Sequence, residues 1–119
     1  MKGILIKTNL DYKIKDFHDL DEIRNYVDGW AELVRPRGLP NHLCMIVDEE
    51  GLLKHKDLNL IGSYWYETHK HGSPIVGDIV LIGKSFEGDF ISMNNDDLIY
   101  WENEIKRLVD QLSNKNTIL

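Results

Sequence analysis

The sequence predicts an α+β fold: a mostly antiparallel sheet with two or three helices packed on one face, and a long C-terminal helix. Three observations predict it: short β-branched apolar runs, capping signals ahead of two helical stripes, and glycine-containing turns between the apolar runs. With 119 residues, the chain has the length of one domain. We place this α+β domain at residues 1–113 and expect the largely polar tail, residues 114–119, to fray.

The N-terminal quarter predicts two strands followed by a helix. The apolar run GILIK at 3–7 predicts a strand, and the alternation in residues 11–17 predicts a second strand or an extended arm. The sequence DLDE at 19–22 matches a capping box. The apolar stripe behind it, which runs as far as Trp30, predicts a helix over about 20–29.

The middle of the chain gives less regular signals. Residues 30–36 predict a strand, and the two prolines and the glycine of 35–41 predict a loop. Residues 42–53 predict a buried strand, an acidic turn with the sequence DEEG, and a returning strand, which together make a hairpin. The segment 57–71 is ambiguous, because its helical spacing is interrupted by a glycine and by three consecutive aromatic residues.

The C-terminal part gives the clearest patterns. Residues 74–83 and 88–93 predict two strands, which we expect to be antiparallel neighbours because a short glycine-containing loop joins them. The sequence NNDD at 94–97 supplies a cap and acidic first-turn charges for a final helix. Its apolar stripe consists of Leu98, Trp101, Ile105, Leu108, Val109 and Leu112.

Composition and charge exclude several classes of protein. Fourteen Lys and Arg against twenty Asp and Glu give a net charge of −6, which excludes a generally basic nucleic-acid or membrane-surface binder. The single cysteine, Cys44, excludes an internal disulfide and multi-cysteine zinc sites. No apolar run approaches the roughly 20 residues of a membrane span, and the N-terminus lacks a secretory signal. We therefore expect a cytoplasmic protein without a membrane partner or a direct nucleic-acid partner.

Four segments resemble an uncharacterised small domain family found in phages, plasmids and their bacterial hosts. They are VDEEGLL at 47–53, the stretch from Asn59 onward, PIVGDIVLIG at 74–83, and GDFISM at 88–93. The resemblance covers about residues 30–100 and consists of apolar and turn residues. It implies an accessory protein of a phage or mobile element, and it brings no catalytic residues.

Sequence signatures of common enzymes are absent. No phosphate-binding glycine loop, dinucleotide fingerprint, zinc-protease helix or serine-hydrolase elbow occurs, which disfavours an enzyme. Cys44 lies in the apolar run LCMIV and predicts a buried core thiol rather than a nucleophile. Asp48, Glu49 and Glu50 predict a solvated turn, since acid–base work would require a buried carboxylate.

Two histidines form an H-x-H pattern at 69–71. On a strand, His69 and His71 would point the same way and could share a metal with a third ligand such as Asp78. The tract lacks a third ligand at characteristic spacing, which favours surface residues. We predict no metal and no cofactor.

Cations, imidazoles and aromatic rings are concentrated in the middle of the chain. Residues 31–71 contain five of the fourteen Lys and Arg, four of the five histidines, and the aromatic run at 64–66. Guanidiniums pair with phosphate oxygens, and aromatic rings stack on bases. The sequence therefore predicts a site for a small anionic, nucleotide-like ligand, formed by Arg35, Arg37, Asn41, His42, Tyr64, Trp65, His69 and His71.

The alternative interpretation places Tyr64 and Trp65 in the core and the two arginines in a solvated loop. We expect a non-enzymatic phage or mobile-element accessory protein that sequesters the ligand for counter-defence, as a homo-oligomer with pockets completed between subunits. Two other functions stay open. One is an inhibitor of a host defence or DNA-processing enzyme, acting through the acidic last helix. The other is a small nucleotide-acting enzyme with His69 or His71 as base or metal ligand.

Overall fold

A computed structural model describes residues 1–35 and 38–118, except the side chains of His69, His71 and residues 114–118. Along this part of the chain the strands are β1 (Lys2–Ile6), β2 (Tyr12–Asp16), β3 (Ala31–Val34), β4 (Leu43–Asp48), β5 (Ile79–Lys84) and β6 (Phe90–Ile91). The helices are α1 (Leu20–Val27), α2 (Leu60–Tyr66), α3 (Thr68–His71) and α4 (Asn95–Ile118). The predicted α+β class and the long C-terminal helix are confirmed.

The strands form one sheet in the order β2-β1-β5-β4-β3, with β6 also paired to β5. Every pairing among the described strands is antiparallel. β6 pairs with β5 at Gly83 and Lys84, beyond the stretch of β5 that pairs with β1. The predicted antiparallel pairing of the last two strands is therefore confirmed.

Helices cover both faces of the sheet, because the strands present apolar side chains on alternate sides. α2 and α4 share one face, whereas α1, which the sequence predicts on the same face as the last helix, covers the other. The residues buried on the α2/α4 face include Ile4, Ile6, Met45, Ile61, Trp65, Ile79, Leu81, Trp101 and Ile105. The residues buried on the α1 face include Leu5, Phe17, Ile23, Val27, Cys44, Ile46, Val80 and Ile82.

α1 begins where the sequence predicts and ends two residues before the predicted end at about residue 29. The Asp19 carboxylate accepts the N–H of Glu22 at 2.9 Å, and the Glu22 carboxylate reaches back to the N–H of His18. The helix ends at Val27 because Asp28 takes a left-handed conformation with φ 57°. The prediction that Trp30 continues the buried stripe is wrong: Trp30 lies beyond the helix and is 62% exposed.

The predicted hairpin at 42–53 is wrong. β4 ends at Asp48 and lies between β3 and β5, so neither of its edges is open to a returning strand. Instead the chain forms tight turns, in which the N–H of Lys54 donates to the carbonyl of Glu50 at 3.0 Å and that of Lys56 to Gly51 at 3.1 Å.

The ambiguous segment 57–71 is mainly helical, and a buried asparagine fixes its start. The Asn59 side-chain oxygen accepts the N–H of Gly62 and caps α2. Its amide group donates to the carbonyls of Ile6 at 3.1 Å and Gly77 at 2.9 Å. Residues 74–78 are not part of the predicted strand: Gly77 has φ 79° and turns the chain before β5 begins.

α4 matches its predicted start, since the Asn94 side chain accepts the N–H of Asp97 at 2.8 Å. Its apolar stripe packs against β1, β2 and α2. The backbone of α4 continues to Ile118, and the fraying of residues 114–119 stays a prediction. Within the described part of the chain, none of the helices combines the length and the apolar character that a membrane crossing requires.

Candidate functional site

The two predicted stacking residues have different environments. Trp65 is 3% exposed and packs edge to face on Trp101, with ring centroids 5.6 Å apart. Tyr64 is 63% exposed, and its side chain hydrogen-bonds with the guanidinium of Arg107. Trp65 thus belongs to the core, as the alternative interpretation held, while Tyr64 borders a groove.

This groove, the aromatic groove, lies between α2 and α4 and has a volume of about 370 Å³. The loop before β4 closes one side, since a Cβ on Gly38 would lie 3.1 Å from the carbonyl of Trp65. Besides Gly38, its lining consists of four aromatic residues, Tyr64, Trp65, Tyr100 and Trp101, and two carboxylates, Glu67 and Glu104. The lining thus presents two carboxylates, paired with Lys70 and Arg107 respectively, rather than the free cations that the predicted anion requires.

Loop residues of the predicted site do not gather around the rings. By the alternation of β3, Arg35 follows Leu33 onto the α1 face, opposite Trp65, and its charge acts on the Cys44 thiol. Nε2 of His42 lies 2.8 Å from the carboxylate of Asp97 at the start of α4. Asn41 is exposed next to it, and Arg37 lies outside the described residues.

The H-x-H pattern falls in α3 rather than on a strand. Residues two apart on a helix do not face each other, so the argument for two imidazoles on one side does not apply to His69 and His71. Their side chains lie outside the described residues. No metal-ligating cluster of His, Cys, Asp and Glu occurs among the residues described.

Cys44 is confirmed as a core residue. Its side chain is fully buried on the α1 face. Burial raises the pKa of the thiol to about 11, against the opposing charges of Lys84 and Arg35. A thiol with this pKa is protonated at neutral pH, so Cys44 has the properties of a packing residue rather than of a nucleophile.

The predicted solvated acidic turn is wrong for Asp48, whose side chain is 1% exposed. Nζ of Lys56 lies 2.7 Å and Nζ of Lys54 2.9 Å from its carboxylate. Burial alone would raise the pKa of Asp48, but hydrogen bonds from Lys56, Lys54 and the N–H of Glu50 outweigh it and lower the pKa.

Both lysines also bind the end of α1. Nζ of Lys56 donates to the carbonyls of Val27 and Asp28, and Nζ of Lys54 donates to Asp28. Cations at a helix C-terminus satisfy its free carbonyls and its dipole. The cluster of Asp48, Lys54 and Lys56 is therefore internally satisfied and fixes the end of α1 to the sheet.

A second groove, the lysine groove, lies on the α1 face beside β2 and has a volume of about 530 Å³. Lys13 and Lys15 are two residues apart on β2, so both side chains lie on this face. Lys7 follows β1, and the buried Leu5, paired with Lys13, forms part of the floor. Tyr26 of α1 borders the groove.

The lysines of this groove form no ion pair with described residues, and its carboxylates accept hydrogen bonds from uncharged donors. Neither Lys7, Lys13 nor Lys15 forms an ion pair with any described residue. Asp11 accepts a hydrogen bond from the Asn9 side chain, and Asp78 accepts the N–H of Thr8. Nζ of Lys15 lies 4.8 Å from the centre of the Tyr26 ring, which holds it at the groove wall.

The lysine groove is absent from the sequence-based site, although a signal for it exists. The pattern K-x-K at 13–15 within an alternating strand places two ammonium groups on one face. Identifying the groove also requires the pairing of β1 with β2 and the position of α1, and neither follows from local pattern.

The fold and this groove define a three-layer α+β protein that carries a basic groove on an acidic chain. The chain belongs to the family DUF3846, a domain of unknown function, whose family model matches residues 1–110. No curated protein and no solved structure matches the chain. The matched residues include all six strands and both grooves, and they agree with the predicted kinship to an uncharacterised domain family.

Proposed function

We propose that this protein binds and sequesters a small anionic, nucleotide-like ligand in the lysine groove, without chemical turnover. One observation carries the proposal: three ammonium groups without ion-pair partners among the described residues line a groove with an apolar floor, and they outnumber its two carboxylates, Asp11 and Asp78. Unpaired lysines attract phosphate, and the groove volume of about 530 Å³ lies in the range typical of small-ligand sites. The site thus differs from the predicted one, while the ligand class is the same.

The biological setting is part of this proposal. The resemblance at VDEEGLL and PIVGDIVLIG supports an origin in a phage or other mobile element, and ligand sequestration suits a counter-defence role in the host cytoplasm. β2 is the last strand on its side of the sheet, so a second copy in a homo-oligomer would extend the groove beside Lys13 and Lys15. The alternative of an acidic inhibitor stays open: Asp97 and Glu104 on α4 pair with His42 and Arg107, whereas Asp96, Glu102 and Asp110 form no ion pair with a described residue.

Calorimetric titration with cyclic dinucleotides, ADP-ribose and inorganic phosphate tests the proposal. We expect saturable binding of at least one nucleotide, weakening at higher salt because the contacts are ionic. The double variant Lys13→Gln/Lys15→Gln should lower the affinity at least tenfold. The matched control Lys106→Gln, which removes one exposed charge on α4, should leave it unchanged.

Chromatography of the recovered nucleotide separates binding from catalysis. An unchanged nucleotide agrees with sequestration, whereas turnover would favour the enzymatic alternative. Absence of binding to every probe, or equal binding by the lysine double variant, would refute the lysine groove as the site.

A further inference from the structure

We propose that the aromatic groove is a second binding site, which takes a guanidinium-type cation. The site is independent of the lysine groove because the two lie on opposite faces of the sheet. It combines an aromatic wall with carboxylates, which is the composition that recognises organic cations.

The aromatic wall is exposed on one side and fixed on the other. Tyr64 and Tyr100 are 63% and 60% exposed, and they lie beside Trp65 and Trp101, which are nearly buried. Tyr100 contacts Trp101 edge to face, with centroids 5.1 Å apart, and Trp101 contacts Trp65 in the same way. This chain of contacts holds the rings in place, so they offer a preformed surface to a flat cation.

Glu67 supplies a carboxylate that lacks a full set of partners. One oxygen, Oε1, lies 3.5 Å from Nζ of Lys70, a long contact at the surface. The other oxygen, Oε2, is shielded from solvent and has no hydrogen-bond partner among the described residues. Glu67 lies between the C-terminus of α2 and the N-terminus of α3, whose dipoles act on it in opposite directions. Since Oε2 is shielded, a cation in the groove would bind it once the Glu67 carboxylate turns toward the groove.

The chain itself shows which cation fits these groups. Arg107 of α4 pairs with Glu104 through two guanidinium nitrogens, one of them Nε at 3.2 Å from Oε2 of Glu104. Glu104 lines the groove, so a guanidinium already lies at its border. Guanidiniums stack flat on aromatic faces and bind carboxylates through two parallel hydrogen bonds. An ammonium group, which is not planar, cannot form this pair of parallel hydrogen bonds. A second guanidinium would lie against the tyrosines and bind Glu67.

Nuclear magnetic resonance of the tryptophan indole N–H groups tests this site in the whole protein. Trp65 and Trp101 line the groove, whereas Trp30 is exposed elsewhere and serves as an internal control. The probes are N-acetyl-arginine amide, agmatine, and the neutral isostere N-acetyl-citrulline amide. We expect the two guanidinium probes to shift the Trp65 and Trp101 signals saturably while citrulline and the Trp30 signal show no change. Tighter binding of the arginine amide would indicate an arginine side chain of a partner protein, and tighter binding of agmatine a free guanidinium compound.

Variants separate the proposed contact from a general effect of charge. Glu67→Gln should weaken binding at least tenfold, and Tyr100→Leu severalfold, while the control Glu102→Gln on α4 should bind as the native protein does. The double variant Lys13→Gln/Lys15→Gln should also bind normally, so failure of one site is distinguishable from failure of the other. An equal response to citrulline, unchanged binding by both Glu67→Gln and Tyr100→Leu, or no saturable shift would overturn the proposal.

Discussion

Nζ of Lys56 lies 2.7 Å from the buried carboxylate of Asp48, and the same ammonium donates to the last carbonyls of α1. This ion pair joins the end of β4 and the turn that follows it to the C-terminus of α1, which lies about 20 residues earlier in the chain. Gly29 allows this approach, because a Cβ at that position would lie 2.2 Å from a carboxylate oxygen of Asp48. The contact fixes the C-terminus of α1 to the end of β4.

Replacing Asp48 by Asn should destabilise the fold substantially. The variant keeps the shape but removes the negative charge that faces two lysines, one of them 15% exposed. We expect a loss of roughly 2–3 kcal/mol in the free energy of unfolding, measured by urea denaturation. The control substitution Glu49→Gln, at the exposed neighbouring position, should change the free energy of unfolding by less than about 0.5 kcal/mol. Equal effects of the two substitutions would show that the buried pair does not contribute to stability.

The contribution of Asp48 should also depend on pH. Its pKa is lowered in the folded protein, so the carboxylate stabilises the fold above the pKa of an unfolded aspartate, about 4. This stabilisation is lost as the pH falls through the folded pKa. We therefore expect the stability difference between the native protein and Asp48→Asn to be largest near pH 7 and to shrink below pH ~4. A difference that stays constant down to pH ~2 would contradict the assignment.

The elements predicted correctly are those whose pattern is local and periodic. α4 has a cap and an apolar stripe, and β5 with β6 has apolar runs joined by a short turn. The prediction of a hairpin after β4 failed because the strand pattern does not reveal that β3 and β5 already pair with both edges of β4. The prediction for Asp48 failed for a local reason: the sequence does not show that the turn after β4 brings Lys54 and Lys56 back onto its carboxylate.

The two grooves follow from the sequence less directly than the fold does. Charge and aromatic content identified the region of Tyr64 and Trp65, and the structure places a groove there. The sign of its charge did not follow from composition, because carboxylates of α2 and α4 line it while Arg35 faces the other side of the sheet. The lysine groove depends on the pairing of β1 with β2 and on the position of α1, which are long-range features.

Asn59 should tolerate no change of its amide group. It is fully buried, donates to two carbonyls and accepts one N–H at the start of α2. In Asn59→Asp, a carboxylate oxygen would face the carbonyls of Ile6 and Gly77. We expect a loss of roughly 2–4 kcal/mol in the free energy of unfolding. The exposed substitution Asn103→Asp on α4 is the matched control and should cost less than about 0.5 kcal/mol. If both variants unfold at the same urea concentration as the native protein, the three hydrogen bonds do not hold the start of α2.

Cys44 should resist alkylation in the folded protein. Burial raises the pKa of its thiol to about 11, so at pH 8 only about one thiol in a thousand is ionised, and reagent access requires unfolding. We expect no reaction with iodoacetamide under native conditions and complete reaction in urea. Mass spectrometry of the intact protein measures the extent of reaction. The variant Phe86→Cys adds a thiol at a fully exposed position and should gain a single modification in the native state. Two native modifications in that variant would mean that the α1 face of the sheet opens readily, since Cys44 lies beneath the apolar layer that α1 covers.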